Sequence, residues 1–183
     1  YDLSDPLLPQ VAREDPYVSS VNSLEIVGNN LFLTGYGTGL RVLDADTLTL
    51  VGSYFDGTNY TGYVDVTLYE TWAYALFAGT GSASKNAYLD VITVGDLSNL
   101  ERKEHVPIEA NPLRQFAADE QRLYVVEKAT RLWVFDITNR QNPQLLEKYE
   151  LSGINVVFPR GDYLYVGTSA GLSILDVSNL GAI

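Results

Sequence analysis

Short apolar runs alternate with polar turns along the whole chain, and one type of run recurs at a regular distance. LRVLD (40–44), ITVGD (92–96), LWVFD (132–136) and LSILD (172–176) each end in an aspartate. Counted from Asp2, these aspartates are separated by 42, 52, 40 and 40 residues. Ser or Thr stands two residues after the aspartate in four of the five copies, and Asp46 takes that place in the second. A period of about 40 residues is typical of repeat architectures.

In three of the four units a second apolar run, such as LYVVE or LYVGT, begins 12 or 13 residues before the aspartate. In the remaining unit the segment GTGSASKNA (79–87) lengthens the gap by about ten residues, which a surface loop tolerates. Each unit therefore predicts four short strands: an inner strand, two apolar strands and a more polar outer strand. Continuous apolar runs indicate strands that are buried on both faces.

Sheets that are dry on both sides and repeat every 40 residues pack face to face around an axis. The sequence thus predicts an all-β, single-domain β-propeller over residues 1–183, with about four blades of four-stranded antiparallel sheet. The predicted blades are 20–56, 62–108, 112–151 and 153–179, and residues 7–17 supply the outer strand that closes the fourth blade. A segment of a larger ring is the alternative.

Two windows, 111–121 and 142–151, contain Asn-Pro followed by apolar residues at helical spacing. Taken alone, either window predicts a helix. The repeat register places both on strands, and four superposed copies outweigh a single window.

The repeated aspartates are expected to accept hydrogen bonds from backbone N–H groups two residues on, and so to reverse the chain after a buried strand. The alternative is calcium binding at the sheet corners, by Asp44, Asp46, Asp96, Asp136 and Asp176. No segment shows the alternating Asp-x-Asp-x-Asp-Gly spacing of a dedicated calcium loop. No other cofactor is expected.

The charge of the chain narrows the choice of partners. Twelve basic residues against 23 acidic ones give a formal charge of −11, which disfavours nucleic acid and anionic membranes. No apolar run approaches the roughly 18–20 residues that span a bilayer, so no membrane insertion is expected. There is no Cys, which excludes disulfides and thiolate metal sites.

Two repeats, LYVGTSAGLSILDVSN (164–179) and LFLTGYGTGLRVLDADT (31–47), resemble LVIVD-type repeats. The resemblance implies a β-propeller of the kind found in bacterial and archaeal secreted or cell-surface proteins. Such repeats share no catalytic residue set, so the resemblance assigns no catalytic residue to this chain.

The sequence contains few candidates for catalytic, metal-binding or phosphate-binding residues. His105 is the one histidine, and its charged surroundings predict an exposed position on an edge strand. One His without Cys leaves no ordinary zinc or copper ligand set. The glycine-rich segment 35–39 lacks the lysine and the helix of a phosphate loop and predicts a hairpin.

The segments that depart from the repeat, 55–63 and 79–87, are the predicted binding loops, because they combine aromatic, small and polar residues. Asn59 begins an N-glycosylation sequon within the first segment. The candidate contact residues are Phe55, Tyr60, Tyr63, Ser82, Lys85 and Asn86.

The sequence therefore predicts a non-enzymatic extracellular or cell-surface propeller that serves as a binding or scaffold module. Its expected partner is a protein or a glycan. One alternative is a structural subunit that self-associates into an array or filament. Another is an enzyme whose site lies at the mouth of the central channel, built from carboxylates such as Asp65.

Overall fold

The computed structural model describes residues 20–57, 62–78, 87–109, 113–128 and 130–178. The predicted apolar runs in this part of the chain form strands, except that only Ile92 and Thr93 of the run ITVGD (92–96) belong to a strand, and no helix occurs there. Sheet 1 consists of β1 (Val21–Val27), β2 (Asn30–Gly35), β3 (Gly39–Asp44) and β4 (Leu50–Tyr54). Sheet 2 consists of β5 (Tyr63–Tyr69), β6 (Trp72–Phe77), β7 (Ala87–Thr93) and β8 (Glu101–Ile108). Sheet 3 consists of β9 (Leu113–Ala118), β10 (Arg122–Glu127), β11 (Arg131–Asp136) and β12 (Gln144–Glu150). Sheet 4 consists of β13 (Ile154–Arg160), β14 (Tyr163–Thr168) and β15 (Gly171–Asp176).

Strands that are consecutive in the chain are neighbours in each sheet, and all pairs are antiparallel. The prediction of an all-β propeller architecture is confirmed in this respect: each repeat unit is one meandering sheet. Sheet 4 has three strands among the described residues. The outer strand predicted for it, residues 7–17, lies outside them.

The two windows with helical spacing are strands, as the repeat register predicts. β9 pairs with β10 from Leu113 to Ala118, and β12 pairs with β11 from Gln144 to Glu150. Local helix preference is overridden because each segment completes the hydrogen-bonding of its sheet.

Each inner strand carries the same irregularity after its first residue, at Val21/Ser23, Tyr63/Asp65, Gln115/Leu113 and Ile154/Val156. The four sheets can therefore be superposed residue by residue. Ser23, Asp65, Gln115 and Val156 occupy one equivalent position, and Leu24, Val66, Phe116 and Val157 occupy the next.

The core lies between the sheets rather than within one of them. Three clusters of buried residues fill the spaces between sheets 1 and 2, 2 and 3, and 3 and 4. The central strands β6, β10 and β11 bury both faces in this way, which explains their unbroken apolar sequences. None of the described residues belongs to a helix that could cross a membrane.

Candidate functional site

The repeated aspartates act as turn residues. Asp44 Oδ1 accepts hydrogen bonds from Thr47 N at 2.7 Å and from Asp46 N at 3.1 Å. Asp96 and Asp176 each accept from the N–H and the hydroxyl of the serine two residues on, and Asp136 accepts from Thr138 N. These hydrogen bonds lower the pKa of all four carboxyl groups.

The geometry assigns these aspartates a structural task, one at each sheet corner. Asp46 contributes its backbone N–H to the first of these turns. Within the described ranges, no group of three or more His, Asp and Glu residues is placed so that it could hold a metal ion.

A central cavity of about 440 Å³ lies where the four inner strands meet. Its polar lining comes from Ser23, Glu25, Asp65, Thr67 and Gln115, while Leu24, Phe116 and Phe158 contribute apolar surface. Because residues of all four inner strands line it, this cavity occupies the position expected for the central channel of a propeller, and we call it the channel.

Side chains in the channel connect each sheet to the next. Glu25 Oε2 accepts a hydrogen bond from Leu68 N at 3.0 Å, which links sheet 1 to sheet 2. Asp65 Oδ2 accepts from Phe116 N at 3.0 Å, which links sheet 2 to sheet 3. Gln115 Oε1 accepts from Val157 N at 3.2 Å, which links sheet 3 to sheet 4. At each of these three interfaces between neighbouring sheets, which we call seams, a side-chain oxygen accepts a hydrogen bond from a backbone N–H of the next sheet.

The two channel carboxyl groups are electrostatically alike. Burial raises the pKa of Asp65, although hydrogen bonds from Ser23, Phe116 and Val66 act in the opposite direction. Burial likewise raises the pKa of Glu25. Asp65 Oδ1 also accepts the hydroxyl proton of Ser23 at 2.6 Å, so both of its oxygens are engaged.

A second polar cluster, which sequence inspection missed, surrounds Asp90 between sheets 1 and 2. The Asp90 side chain is fully buried. Its Oδ2 accepts a hydrogen bond from the Tyr63 hydroxyl at 2.6 Å, and its Oδ1 lies 2.7 Å from His105 Nδ1. Arg102 Nη1 lies 3.5 Å from Asp90 Oδ2. The signal that could have revealed it is a lone aspartate inside the apolar run YLDVI.

His105 is only partly the exposed edge residue that its sequence surroundings predict. Its side chain is 44% exposed, but Asp90 holds one ring nitrogen and the ring lies 4.4 Å from that of Tyr88. Tyr88 in turn stacks on Phe77 at 4.6 Å. These contacts connect the side chains of β5, β6, β7 and β8 near one end of sheet 2.

The two predicted binding loops leave sheet 2 side by side. Tyr63, the first residue of β5, pairs with Phe77 at the end of β6, and Phe77 pairs with Tyr88 at the start of β7. The segments that precede Tyr63 and follow Phe77 therefore emerge at the same end of the sheet. Asn59, Tyr60, Ser82, Lys85 and Asn86 lie outside the described residues.

Two exposed aromatic side chains mark the described part of this end. Phe55 is exposed at the end of β4, and Tyr36 is exposed in the hairpin between β2 and β3. Tyr36 forms an isolated bridge with Gly62. Gly39 lies so close to Tyr54 that a Cβ would come within 2.2 Å of the Tyr54 carbonyl oxygen.

Tyr63, named above as a contact residue, requires a correction. Its side chain is fully buried, and burial raises the pKa of its hydroxyl well above the ordinary value. The ring packs in the core between sheets 1 and 2 because its hydroxyl pairs with Asp90. Tyr63 is therefore a core residue and does not offer its side chain to a partner.

Comparison with solved structures defines the class as a propeller-type all-β fold. The computationally designed Ika4 protein superposes with a TM-score of 0.70 at 13% identity, covering 93% of this chain and 100% of that chain. The designed Ika8 protein gives 0.62 at 15% identity, covering 86% of this chain and 46% of that one. BamB from Moraxella catarrhalis gives 0.60 at 10% identity, covering 82% and 41% respectively. The chain thus spans a little under half of the latter two.

The LVIVD repeat family matches residues 117–150 and 156–183. The predicted resemblance to LVIVD repeats is confirmed over these two segments. A search of curated protein sequences gave no match.

Proposed function

We propose that the protein is a non-enzymatic binding module that holds a protein or glycan partner at the end of the sheets carrying Tyr36, Phe55 and the loops around sheet 2. The observation that carries this proposal is the convergence of the two non-repeat segments at one end of sheet 2. Aromatic side chains offer large contact areas at a low cost in conformational entropy, which suits recognition.

The base of this surface supports the proposal. Tyr63, Asp90 and His105 are joined by hydrogen bonds of 2.6 and 2.7 Å within the sheet from which both loops extend. A binding loop that stands on a rigid base loses less entropy when it meets its partner. The LVIVD resemblance further supports a location outside the cell or at its surface.

The channel chemistry supports a non-catalytic function. Asp65 and Glu25 direct their carboxyl oxygens to backbone N–H groups, and no Lys, Arg or His is among the described residues that line the cavity. A carboxylate that positions a neighbouring sheet is poorly placed to act on a substrate as well.

A comparison of loop variants tests the proposal. The wild-type protein is applied to a glycan array and to an array of extracellular protein domains, beside the variants Tyr36→Ala and Phe55→Ala. We expect a ligand whose affinity falls about tenfold or more in either variant, as truncation of an aromatic contact commonly causes. Leu145→Ala, which removes an exposed side chain on the distant β12, is the matched control. Equal binding by all four proteins would refute the proposed surface.

A further inference from the structure

Sheet 4 exposes residues whose counterparts in the other sheets are fully buried. Leu172 is 68% exposed, whereas the equivalent Leu40, Leu89 and Leu132 are each 0% exposed. Ile174 is 56% exposed, and its equivalents are likewise inaccessible. In sheets 1 to 3 these positions face the following sheet and belong to the three inter-sheet clusters. The exposed face of sheet 4 is therefore half of an inter-sheet interface.

Sheet 1 presents part of the other half at its inner strand, whereas Leu33 and Leu43, which share that face on β2 and β3, are only 6% and 2% exposed. Leu24 is 59% exposed, whereas the equivalent Val66, Phe116 and Val157 are at most 4% exposed and face the preceding sheet. Ile26, two residues on, is exposed as well. We call Leu24 and Ile26 the leading face, and Leu172 and Ile174 the trailing face.

Among the described residues, no polar bridge like those at the other three seams joins sheets 4 and 1. Asp65 and Gln115 direct an oxygen to the next inner strand, but the equivalent residue of sheet 4 is Val156, which has no polar atom in its side chain. Val156 is itself exposed. The seam between sheets 4 and 1 therefore differs from the other three both in its residue at the bridging position and in the exposure of its apolar side chains.

We propose that the trailing face of one molecule docks on the leading face of a second copy of this chain. Three packed seams within the chain show what chemistry covers a trailing face, namely the leading face of a sheet of the same repeat. Because both faces are exposed in one molecule, they do not cover each other in this structure. The contact is head to tail, so it joins two different surfaces and builds a dimer or a longer row of copies.

The hydrophobic effect supplies the driving force. Docking would remove large aliphatic side chains from water, which is favourable roughly in proportion to the apolar area buried. The side chains that define the two faces are uncharged, so the contact itself adds no like-charge pair to a chain of net charge −11. Added salt screens the remaining repulsion and is expected to promote association.

Light scattering coupled to size-exclusion chromatography tests the association. We expect wild-type protein to show a mass above 20.2 kDa that rises with concentration. Leu172→Glu and Leu24→Glu should each return the mass to that of the monomer. Leu145→Glu, the same substitution on the exposed strand β12, should leave the mass unchanged. Circular dichroism confirms that each variant is folded. A wild-type monomer at every concentration, or an oligomer that both seam variants retain, overturns the proposal.

Cross-linking identifies the surfaces without relying on a disruptive charge. The chain has no Cys, so single cysteines introduce unique reaction sites. An equimolar mixture of Leu24→Cys and Leu172→Cys treated with a short bismaleimide should give a covalent dimer. A mixture of Leu24→Cys and Leu145→Cys should not. The double variant carrying Leu24→Cys and Leu172→Cys is the decisive arm. If it gives only a cross-linked monomer, the ends of one chain meet each other and a second copy is not the occupant.

Discussion

At the scale of single residues, the turn aspartates show how far a repeated pattern predicts local structure. Each copy places Asp at the end of a buried strand, or three residues past it for Asp96, with a hydroxyl residue shortly after, and each described copy forms the expected hydrogen bonds. This was predictable because the partners lie within three residues of the aspartate. Asp90, Tyr63 and His105 meet across three strands of sheet 2, so no local pattern indicates their contact.

Lowered carboxyl pKa values make the turns sensitive to acid. The pKa values of Asp44, Asp96, Asp136 and Asp176 are lower in the folded chain than their ordinary value of about 4. The stability that they contribute is therefore present above that pH and is lost as the pH falls through the folded values. We expect the urea midpoint of the wild type to fall between pH 5 and pH 2 by more than that of the fourfold Asp→Asn variant.

The control for acid sensitivity is Asp162→Asn, an exposed aspartate outside the repeated turns. It should leave the pH profile of the urea midpoint unchanged. If the fourfold variant follows the wild-type profile instead, the turn hydrogen bonds do not stabilise the ionised carboxylates.

At the scale of elements, the sequence predicts the strands well and the links between sheets poorly. Strands β9 and β12 follow from the repeat register although their own windows suggest helices. The position occupied by Ser23, Asp65, Gln115 and Val156 varies in chemistry from sheet to sheet. Its bridging role becomes visible only when adjacent inner strands are placed side by side.

Asp65 is expected to be the most consequential of these bridges, since it serves three donors. Asp65→Ala leaves the N–H of Phe116 without an acceptor at the channel, which costs about 1–3 kcal/mol. Asp65→Asn keeps an oxygen that can accept this bond, and it removes the burden of a buried carboxylate. We therefore expect the free energy of unfolding to fall clearly in Asp65→Ala and less in Asp65→Asn, as measured by chemical denaturation. Equal losses in the two variants would show that the acceptor oxygen is unimportant.

At the scale of the whole molecule, the chain behaves as a row of sheets with three packed seams and one unpacked seam. The repeat predicts four similar units, but the sequence does not show which faces find a partner. Leu172 is as apolar as Leu40, and the exposure of one and the burial of the other depend on what stands beside each sheet. The free energy of unfolding of such an arrangement is approximately the sum of the stability of each sheet and the stability of each interface between neighbouring sheets.

Sheets 2 and 3 are packed on both sides, whereas sheet 4 exposes one face and sheet 1 exposes its inner strand, and this difference should appear in hydrogen exchange. Local opening requires less free energy where fewer apolar contacts are broken. In dilute solution we expect the amides of β6 and β10 to exchange more slowly than those of the equivalent strands β2 and β14. Raising the protein concentration should slow exchange in β2 and β14 alone if a second copy covers the two faces. Leu172→Glu, analysed in parallel, should abolish that concentration dependence. Uniform protection of all four strands in dilute protein would contradict the unpacked seam, because it would require the end sheets to be as well supported as the middle ones.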